Sequence, residues 1–333
     1  MPTKPRGVGS MLSRIAEYHY WMGRYIERAE SNARVVADFY QTQLDHYVNG
    51  NWGMVLEVTG ELENYQRSSS DLGCTQVEHY LTFNPQNPNS ILSCLTQARE
   101  NARGIRDQIS SELWVALNRL YLEVRETHWE GMGDAQAVSF YERIKDQAQL
   151  LDGLVHGTLL RGVGWHFIRL GRFLERAFQV ARVLRVRYHH LQTKPVGMLQ
   201  TQEWNSLLRS VSCFEMYLKL YRATLVPENV VELLVLHPDS PRSVRFAVAA
   251  VQADLAALAR PKELGYGNEA QRFAGRLQAN LSYTTSQEIG VQGVVDYLQE
   301  VETQLNQIGE QIHHIYFSYP LSQSQRQSQS MQS

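Results

Sequence analysis

Apolar side chains recur at intervals of three, four and seven residues in two long stretches of the chain. The first stretch runs from Met11 to Tyr40, and the second runs from Val163 to Leu184. This spacing follows the 3.6-residue period of an α-helix and gathers the apolar side chains into one stripe. The pattern predicts two long amphipathic helices, each of which turns its apolar stripe toward a core.

Helical periodicity extends over most of the remaining chain, and strand-like alternation bounded by hairpin turns is absent from the sequence. We expect further helices near 52–66, 72–83, 88–123, 135–156, 202–225, 227–237, 241–260, 269–284 and 286–317. The sequence therefore predicts an all-α helical bundle in one domain over residues 1–318. Residues 192–200 are expected to form a connector, and the Gln/Ser-rich residues 319–333 a disordered tail.

The two long helices share the motif Gly-Arg-x-x-Glu-Arg-Ala-x-x-x-Ala-Arg-Val, which begins at Gly23 and again at Gly171. A shift of 148 residues aligns eight identical residues within this motif. Glycine in the middle of a helix costs about 1 kcal/mol relative to alanine, so each glycine is expected to allow another helix to approach closely.

A second pair of segments, 83–91 and 236–244, is also similar, at a shift of 153 residues. In both segments a residue able to cap a helix, Asn87 or Ser240, stands directly before a proline, as expected at N-cap and N1. Together the two similarities predict an internal duplication, with halves of about 11–156 and 158–318.

Composition narrows the classes of function. The chain has 333 residues, a formal net charge of −2 and three widely spaced cysteines. This charge argues against bulk electrostatic binding of nucleic acid, and no apolar run reaches the roughly 20 residues that span a membrane. We expect a cytoplasmic protein with no metal site and no evident cofactor, because metal-ligand spacings and phosphate-binding loops are missing from the sequence.

The first long helix carries the first candidate site. At about 100° per residue, Glu17, Arg24 and Arg28 fall within an arc of about 40°, opposite the apolar stripe and beside Trp21. Such a face could bind an anion through the arginines, with Glu17 or Glu27 as the candidate acid or base.

The same residues have a structural interpretation, either as a solvated face with ion pairs or as an interface with another helix. In the second interpretation Arg24 would pair with Glu27 or Glu175 across two related helices. The matching residues of the second copy, Arg172, Glu175 and Arg176, are then structural counterparts.

A second candidate site lies in the predicted helix 88–123, where Arg99, Arg103 and Arg106 share one face. Three guanidinium groups this close repel one another unless an acidic group is near them. That group could be a bound phosphate or carboxylate, or a glutamate of another helix. The candidate glutamates are Glu27, Glu30 and Glu123.

The run from Met11 to Glu30 resembles the opening signature of the bacterial alpha-E domain family. The resemblance continues through Arg-Glu-Asn-Ala-Arg at 99–103, Ser-Glu-Leu-Trp at 111–114 and residues 238–244. It implies an all-helical protein whose relatives are encoded or fused beside circularly permuted ATP-grasp and transglutaminase-like proteins. Matching the motifs gives these residues of interest: Glu17, Trp21, Arg24, Glu27, Arg28, Arg99, Glu100, Asn101 and Arg103.

ATP-grasp enzymes join carboxylates to amines through acyl phosphates, so the resemblance implies a role in peptide or amide conjugate synthesis or modification. The leading hypothesis is a helical component that works with an ATP-grasp protein and binds an anionic peptide, intermediate or partner carboxylate. The alternative is a non-catalytic helical scaffold that docks a partner protein. Whether the chain is itself an enzyme stays open at this point.

Overall fold

The computed structural model describes residues 8–46, 51–192, 198–222, 225–259 and 267–318. Within these ranges the chain is helical and contains no strand, which confirms the predicted all-α class. The helices are α1 (Val8–His46), α2 (Trp52–Thr59), α3 (Leu62–Gln66), α4 (Cys74–Thr82), α5 (Ile91–Gly104), α6 (Ser111–Glu126), α7 (Asp134–Thr158), α8 (Val163–Gln192), α9 (Met198–Ser210), α10 (Phe214–Tyr221), α11 (Pro227–Val231), α12 (Val244–Leu258), α13 (Glu269–Tyr283), α14 (Ser286–Gln292) and α15 (Val294–Ile312). Two π-helical segments, Glu232–Leu236 and His313–Phe317, continue α11 and α15.

The two long helices α1 and α8 lie at the centre of the fold and pack against each other. The apolar stripe of α1 supplies fully buried side chains such as Met22 and Val36, and that of α8 supplies Leu170 and Leu184. Helices α5 and α7 cover α1, whereas α12 and α15 cover α8. The shared core therefore surrounds one central helix pair.

Glycine makes the close approach of the central pair possible. A Cβ atom added at Gly23 would fall against the carbonyl oxygen of Ile168, closer than real Cβ contacts come. A Cβ atom added at Gly171 would in turn fall against the carbonyl oxygen of Tyr20. Each glycine thus accepts the backbone of the other helix, as the sequence predicted for these two positions.

The similar segments 83–91 and 236–244 lead into equivalent helices, but the predicted caps were wrong. The side chain of Ser90 accepts a hydrogen bond from the amide of Ser93 and caps α5, and Ser243 does the same for Phe246 in α12. The helices therefore begin three residues later than the Asn87 and Ser240 caps imply. The carbonyl oxygens of Asn87 and Ser240 instead close turns by accepting the Ser90 and Ser243 amides.

Four helices predicted as continuous are interrupted. The predicted helix 52–66 divides into α2 and α3 at Gly60, whose φ is 77°. The predicted helix 88–123 divides into α5 and α6, because Ser110 caps a new helix with its side chain. The predicted helix 202–225 breaks between α9 and α10, where Ser212 has a φ of 57°. The helix predicted for 286–317 breaks at Gly293, whose φ of 101° suits glycine alone. Periodicity does not reveal such breaks, since the apolar stripe resumes beyond each of them.

The predicted tail at 319–333 lies outside the described residues, as do residues 193–197 of the predicted connector. The other residues of that connector are helical, since 192 ends α8 and 198–200 begin α9. In the described part of the chain, no helix is both long enough and apolar enough to cross a membrane.

The glycine crossing generates the first testable prediction. Replacing Gly23 or Gly171 with alanine should destabilise the protein by about 1–3 kcal/mol, because the new methyl group forces the two backbones apart. Urea denaturation followed by circular dichroism would measure this loss. Gly153 of α7 has open space around its Cβ position. There the same change should stabilise by about 0.5–1 kcal/mol, and equal effects at both places would contradict the close packing.

Candidate functional site

Glu175 of α8 lies beside the glycine crossing and is bound by two arginines of α1. Its Oε2 atom accepts the Arg24 Nε–H at 2.7 Å, and its Oε1 atom accepts the Arg28 Nε–H at 2.7 Å. The amide of Gln179 donates a further hydrogen bond to Oε1 at 2.8 Å. The Glu175 side chain is only 1% exposed, so its charge is neutralised by these donors rather than by water.

Glu27 of α1 is held in the same way by two arginines of α8. Arg176 donates from Nε to Oε1 at 2.6 Å and from Nη2 to Oε2 at 2.8 Å, while Arg172 donates to Oε2 at 3.1 Å. Arg242, which precedes α12, adds an ion pair at 3.4 Å. Each central helix therefore supplies the carboxylate that neutralises the arginines of the other.

The arginines hold both carboxylates in the ionised form. Burial acts to raise the pKa of Glu27, but the charges of Arg176 and Arg172 outweigh it and lower the pKa to about 2. Burial likewise opposes ionisation of Glu175, yet Arg28 and Arg24 hold the pKa of that carboxyl far below its usual range. Neither group can take up a proton near neutral pH, so the network is a set of permanent charges.

The face of α1 that bears Arg24 and Arg28 is not solvated, although the sequence placed it opposite the apolar stripe. Helix α8 packs on this face, and the two arginine side chains are only 15% and 19% exposed. The structural interpretation of Arg24 paired with Glu175 is the arrangement observed. The reason lies in the crossing at Gly23, which brings a charged face of each helix against the other.

A polar cavity of about 320 Å³ lies beside Glu175. Its charged lining consists of Arg24, Arg28, Arg182 and Glu175, which gives three positive charges against one negative charge. The other lining residues are Asn32, Thr59, Asn89, Phe178, Gln179 and Asn306. A concave site with a net positive charge and several amide groups has the chemistry of a site for a small anion. No group of His, Cys, Asp or Glu side chains in the described ranges could hold a metal ion.

The corresponding place beside Glu27 is filled. Arg242 reaches both Glu27 and Glu30, with an Nη2 to Oε1 distance of 2.7 Å at Glu30. Arg34 also binds Glu30, at 2.9 Å from Nε and 2.6 Å from Nη2. The neighbouring cavity, lined by Glu27, Glu30 and Arg172 among others, has a volume of only about 20 Å³. Of these two places, the one beside Glu175 has room for a ligand.

The other predicted members of the first site lie outside this cavity lining. The Trp21 ring packs against Arg24, with 5.5 Å from its centroid to the guanidinium carbon, and so supports an arginine of the cavity from behind. Glu17 is half-buried one helical turn before Trp21 and is separate from the lining residues. Glu27 belongs to the filled side of the crossing.

The second predicted cluster forms a separate surface on α5 and α6. Arg99 donates to the side chain of Asn118 at 2.7 Å and lies over the Tyr121 ring. Glu100 pairs with Arg99 at 3.0 Å and with Arg103 at 2.5 Å. The acidic partner is thus Glu100 of the same helix, rather than Glu27, Glu30 or Glu123.

The remaining members of that cluster also lie at the surface. Arg106 donates to the side chain of Ser111 at 3.1 Å, and Asn101 is half-buried on α5. Neither residue is among those that line the cavity beside Glu175. The structure does not join the two predicted clusters into one site.

Sequence reasoning did not select Arg182, Asn89 or Arg242 as site residues. A signal was present, because Arg182 aligns with Arg34 in the repeated motif and Asn89 aligns with Arg242 in the second similarity. Asn89 accepts from Arg28 at 2.6 Å and donates to Glu61 at 2.7 Å. The loop that holds Asn89 reaches the crossing from outside the two central helices, and a helix-face argument cannot place such a loop.

The model of the Alpha-E family, described as a predicted alpha-helical domain with a conserved ER motif, matches residues 11–317. The chain belongs to this family. In this Alpha-E chain the Glu-Arg pairs 27–28 and 175–176 are the ones at the helix crossing. The resemblance seen in the sequence is therefore confirmed.

Relatives of this Alpha-E chain include an uncharacterized protein of Mycobacterium bovis and another of Mycobacterium tuberculosis. Each is 22% identical over 262 residues, which cover 73% of this chain and 29% of the relative. The chain thus spans about three tenths of the length of these curated relatives. No solved structure matches the chain.

Removal of one buried charge should be costly. Changing Glu175 to Gln, or Glu27 to Gln, should lower the free energy of unfolding by about 3–5 kcal/mol, because two buried guanidinium groups lose their counter-charge. Urea denaturation at neutral pH measures this quantity. The matched control is Glu100→Gln, where the exposed pairs on α5 should contribute less than about 1 kcal/mol. Similar losses for all three variants would show that the central ion pairs contribute no more to the free energy of unfolding than the surface pairs of α5 do.

The same network predicts a loss of stability in acid. An unfolded glutamate has a pKa of about 4.3, whereas folding lowers the pKa of Glu27 to about 2. A lowered folded-state pKa gives stability that is complete above the unfolded pKa and is lost as the pH falls through the folded one. The contribution of Glu27, about 3 kcal/mol, should therefore disappear between about pH 5 and pH 2. Urea midpoints measured across this range should fall less steeply in Glu27→Gln, and parallel curves would contradict the assignment.

Proposed function

We propose that this Alpha-E domain binds a small anionic ligand in the cavity beside Glu175. The observation that carries the proposal is the charge of the lining, where Arg24, Arg28 and Arg182 face a single carboxylate. Guanidinium groups bind carboxylates and phosphates strongly because their N–H donors match the geometry of these anions. An anion in the cavity would balance a positive charge that the chain leaves in excess there.

The Glu-Arg pairs serve in this proposal to hold the site rather than to carry out chemistry. Arg24 and Arg28 are fixed by Glu175 before any ligand arrives, which lowers the entropy cost of binding. Glu27 makes a poor general base for two reasons. Its pKa is low, and its carboxylate already accepts a hydrogen bond from Arg176. Ligand binding accounts for this geometry better than acid–base catalysis by Glu27.

An internal duplication explains the reciprocal contacts of the crossing. Arg28 binds Glu175 as Arg176 binds Glu27, and α5 packs on α1 as α12 packs on α8. We infer that the two halves arose from one unit and that the place beside Glu27 lost its cavity when Arg242 filled it. The place beside Glu175, which residues of both halves line, then kept the binding role.

The ligand or its product is proposed to pass to or from an ATP-grasp protein, as the family resemblance implies. ATP-grasp enzymes activate carboxylates, and the cavity has the charge to bind a carboxylate. In this view the chain is a binding component of peptide or amide conjugate synthesis or modification. In the scaffold alternative, the partner protein would dock on the outer surfaces of the bundle, and the cavity would not be needed.

Arg182 is the residue to change in order to test ligand binding, since Arg24 and Arg28 also hold the fold together. Succinate and inorganic phosphate should each raise the melting temperature of the wild-type protein at constant ionic strength, whereas neutral succinamide should not. Arg182→Gln should weaken the binding of these anions about tenfold or more, because one charged hydrogen-bond donor is lost. Arg103→Gln, the same change on the surface of α5, should bind them like the wild type.

Two results would overturn this proposal. One is the absence of any anion-dependent shift in the wild type, and the other is equal binding by the Arg182 and Arg103 variants. Co-purification with a circularly permuted ATP-grasp protein tests the partner. If the complex forms but anions never bind, the scaffold alternative is favoured.

A further inference from the structure

The place beside Glu27, the filled side of the crossing, contains charged groups that are missing from the place beside Glu175, the open side. Arg34 and Arg182 occupy matching positions in the repeated motif, and each donates a hydrogen bond to a segment outside the two central helices. Arg34 donates from Nη1 to the side chain of Ser212, and Arg182 donates from Nη1 to the carbonyl oxygen of Thr59 at 3.0 Å. Thr59 and Ser212 are themselves separated by 153 residues, the shift of the second similarity. The two arginines therefore hold matching positions in the sequence, and each contacts one of two residues that the second shift relates.

The residue one turn before each arginine differs. Glu30 precedes Arg34, and its carboxylate is bound by Arg34 at 2.6 Å and by Arg242 at 2.7 Å. Phe178 precedes Arg182, and the guanidinium carbon of Arg182 lies 4.4 Å from the centroid of the Phe178 ring. Among the described residues, Arg182 forms no ion pair; the acidic charges that act on it are those of Glu302, which pairs with Arg185, and of Glu175. Arg34 thus has an internal carboxylate partner that Arg182 lacks. The cavity of about 230 Å³ that Arg34 and Ser212 line also contains as many acidic as basic side chains, whereas the cavity at Arg182 has three arginines and one carboxylate.

Arg242, which binds Glu27 and Glu30 on the filled side, has no arginine as its counterpart on the open side. Asn89 stands where the other half has Arg242, so the open side presents an uncharged amide at this point. Glu30 is shared between two arginines, whereas the equivalent place has one arginine and one amide. The place equivalent to the Glu30 carboxylate is therefore faced by one guanidinium group, which matches one carboxylate group, while the cavity lining as a whole carries two net positive charges.

From these differences we propose that the ligand of the cavity is a carboxylate, and that its carboxylate group binds Arg182 in the place equivalent to that of the Glu30 carboxylate. This inference rests on the proposed binding function and names the ligand class. On the filled side the chain itself supplies the acidic group, and on the open side the ligand supplies it.

The volume of the cavity and the amide groups of its lining indicate the size and polarity of the ligand beyond its carboxylate group. Its volume of about 320 Å³ is at the lower end of the roughly 300–1,000 Å³ range of small-molecule sites. The lining amides of Asn32, Gln179 and Asn306 offer donors and acceptors to a polar body. An acidic amino acid derivative or the end of an acidic peptide has this combination of size, charge and amide groups.

The change of Phe178 to Glu tests the proposal without a ligand. It rebuilds on the open side the pair that Glu30 and Arg34 form on the filled side. Phe178→Glu should melt at a higher temperature than its isosteric control Phe178→Gln at pH 7. The difference should shrink as the pH falls below about 4.3, the pKa of an unfolded glutamate, and should disappear below the lower pKa of the paired side chain. If Phe178→Glu melts at or below the control at pH 7, Arg182 does not accept a carboxylate there and the proposal is wrong.

Binding of N-acetyl-L-glutamate and inorganic phosphate supplies the second test. The wild type should bind N-acetyl-L-glutamate more tightly than phosphate. Phe178→Glu should bind it about tenfold or more weakly than Phe178→Gln, because the new side chain occupies the place of its carboxylate. Tighter binding of phosphate, or equal binding by the two variants, would overturn the carboxylate inference and leave anion binding standing. Failure of the wild type to bind either probe would overturn the proposed function, and the melting comparison would still decide whether Arg182 accepts a carboxylate.

Discussion

A carboxylate buried between two helices is stable only when its charge is neutralised where it lies, and this requirement organises the centre of the molecule. Glu27 and Glu175 meet it reciprocally, because each takes its arginine donors from the other long helix. The close approach at Gly23 and Gly171 brings the donors within reach. The position of α8 on α1 thus depends on charge pairing and on the absence of two side chains.

The two sides of this crossing use the same framework for different ends. On the Glu27 side, Glu30 and Arg242 complete a closed network. On the Glu175 side, Phe178 and Asn89 take their places, and a polar cavity remains. A few changed side chains at equivalent positions therefore separate a filled structural site from a candidate binding site, while the backbone arrangement is kept.

The sequence was sufficient for the helical class, for the two central helices and for the close approach at the two glycines. It also proposed the pairing of Arg24 with Glu175, although Glu27 remained an equal candidate at that stage. The interruptions at Ser212 and Gly293 escaped prediction, because periodicity continues across them. The cavity escaped as well, because Arg182, Thr59 and Asn89 meet only where α2 and the turn before α5 pack against the central helices. Contacts between distant segments leave no periodic trace in a single sequence.

The reciprocal exchange of charges makes each long helix incomplete without the other. Helix α1 carries Arg24 and Arg28 but not the carboxylate that satisfies them, and α8 carries Arg172 and Arg176 in the same condition. Two helices of this kind are complementary rather than autonomous. The short connection between α7 and α8 keeps them together on one chain, so that each helix meets its partner in a fixed one-to-one ratio and at a high effective concentration.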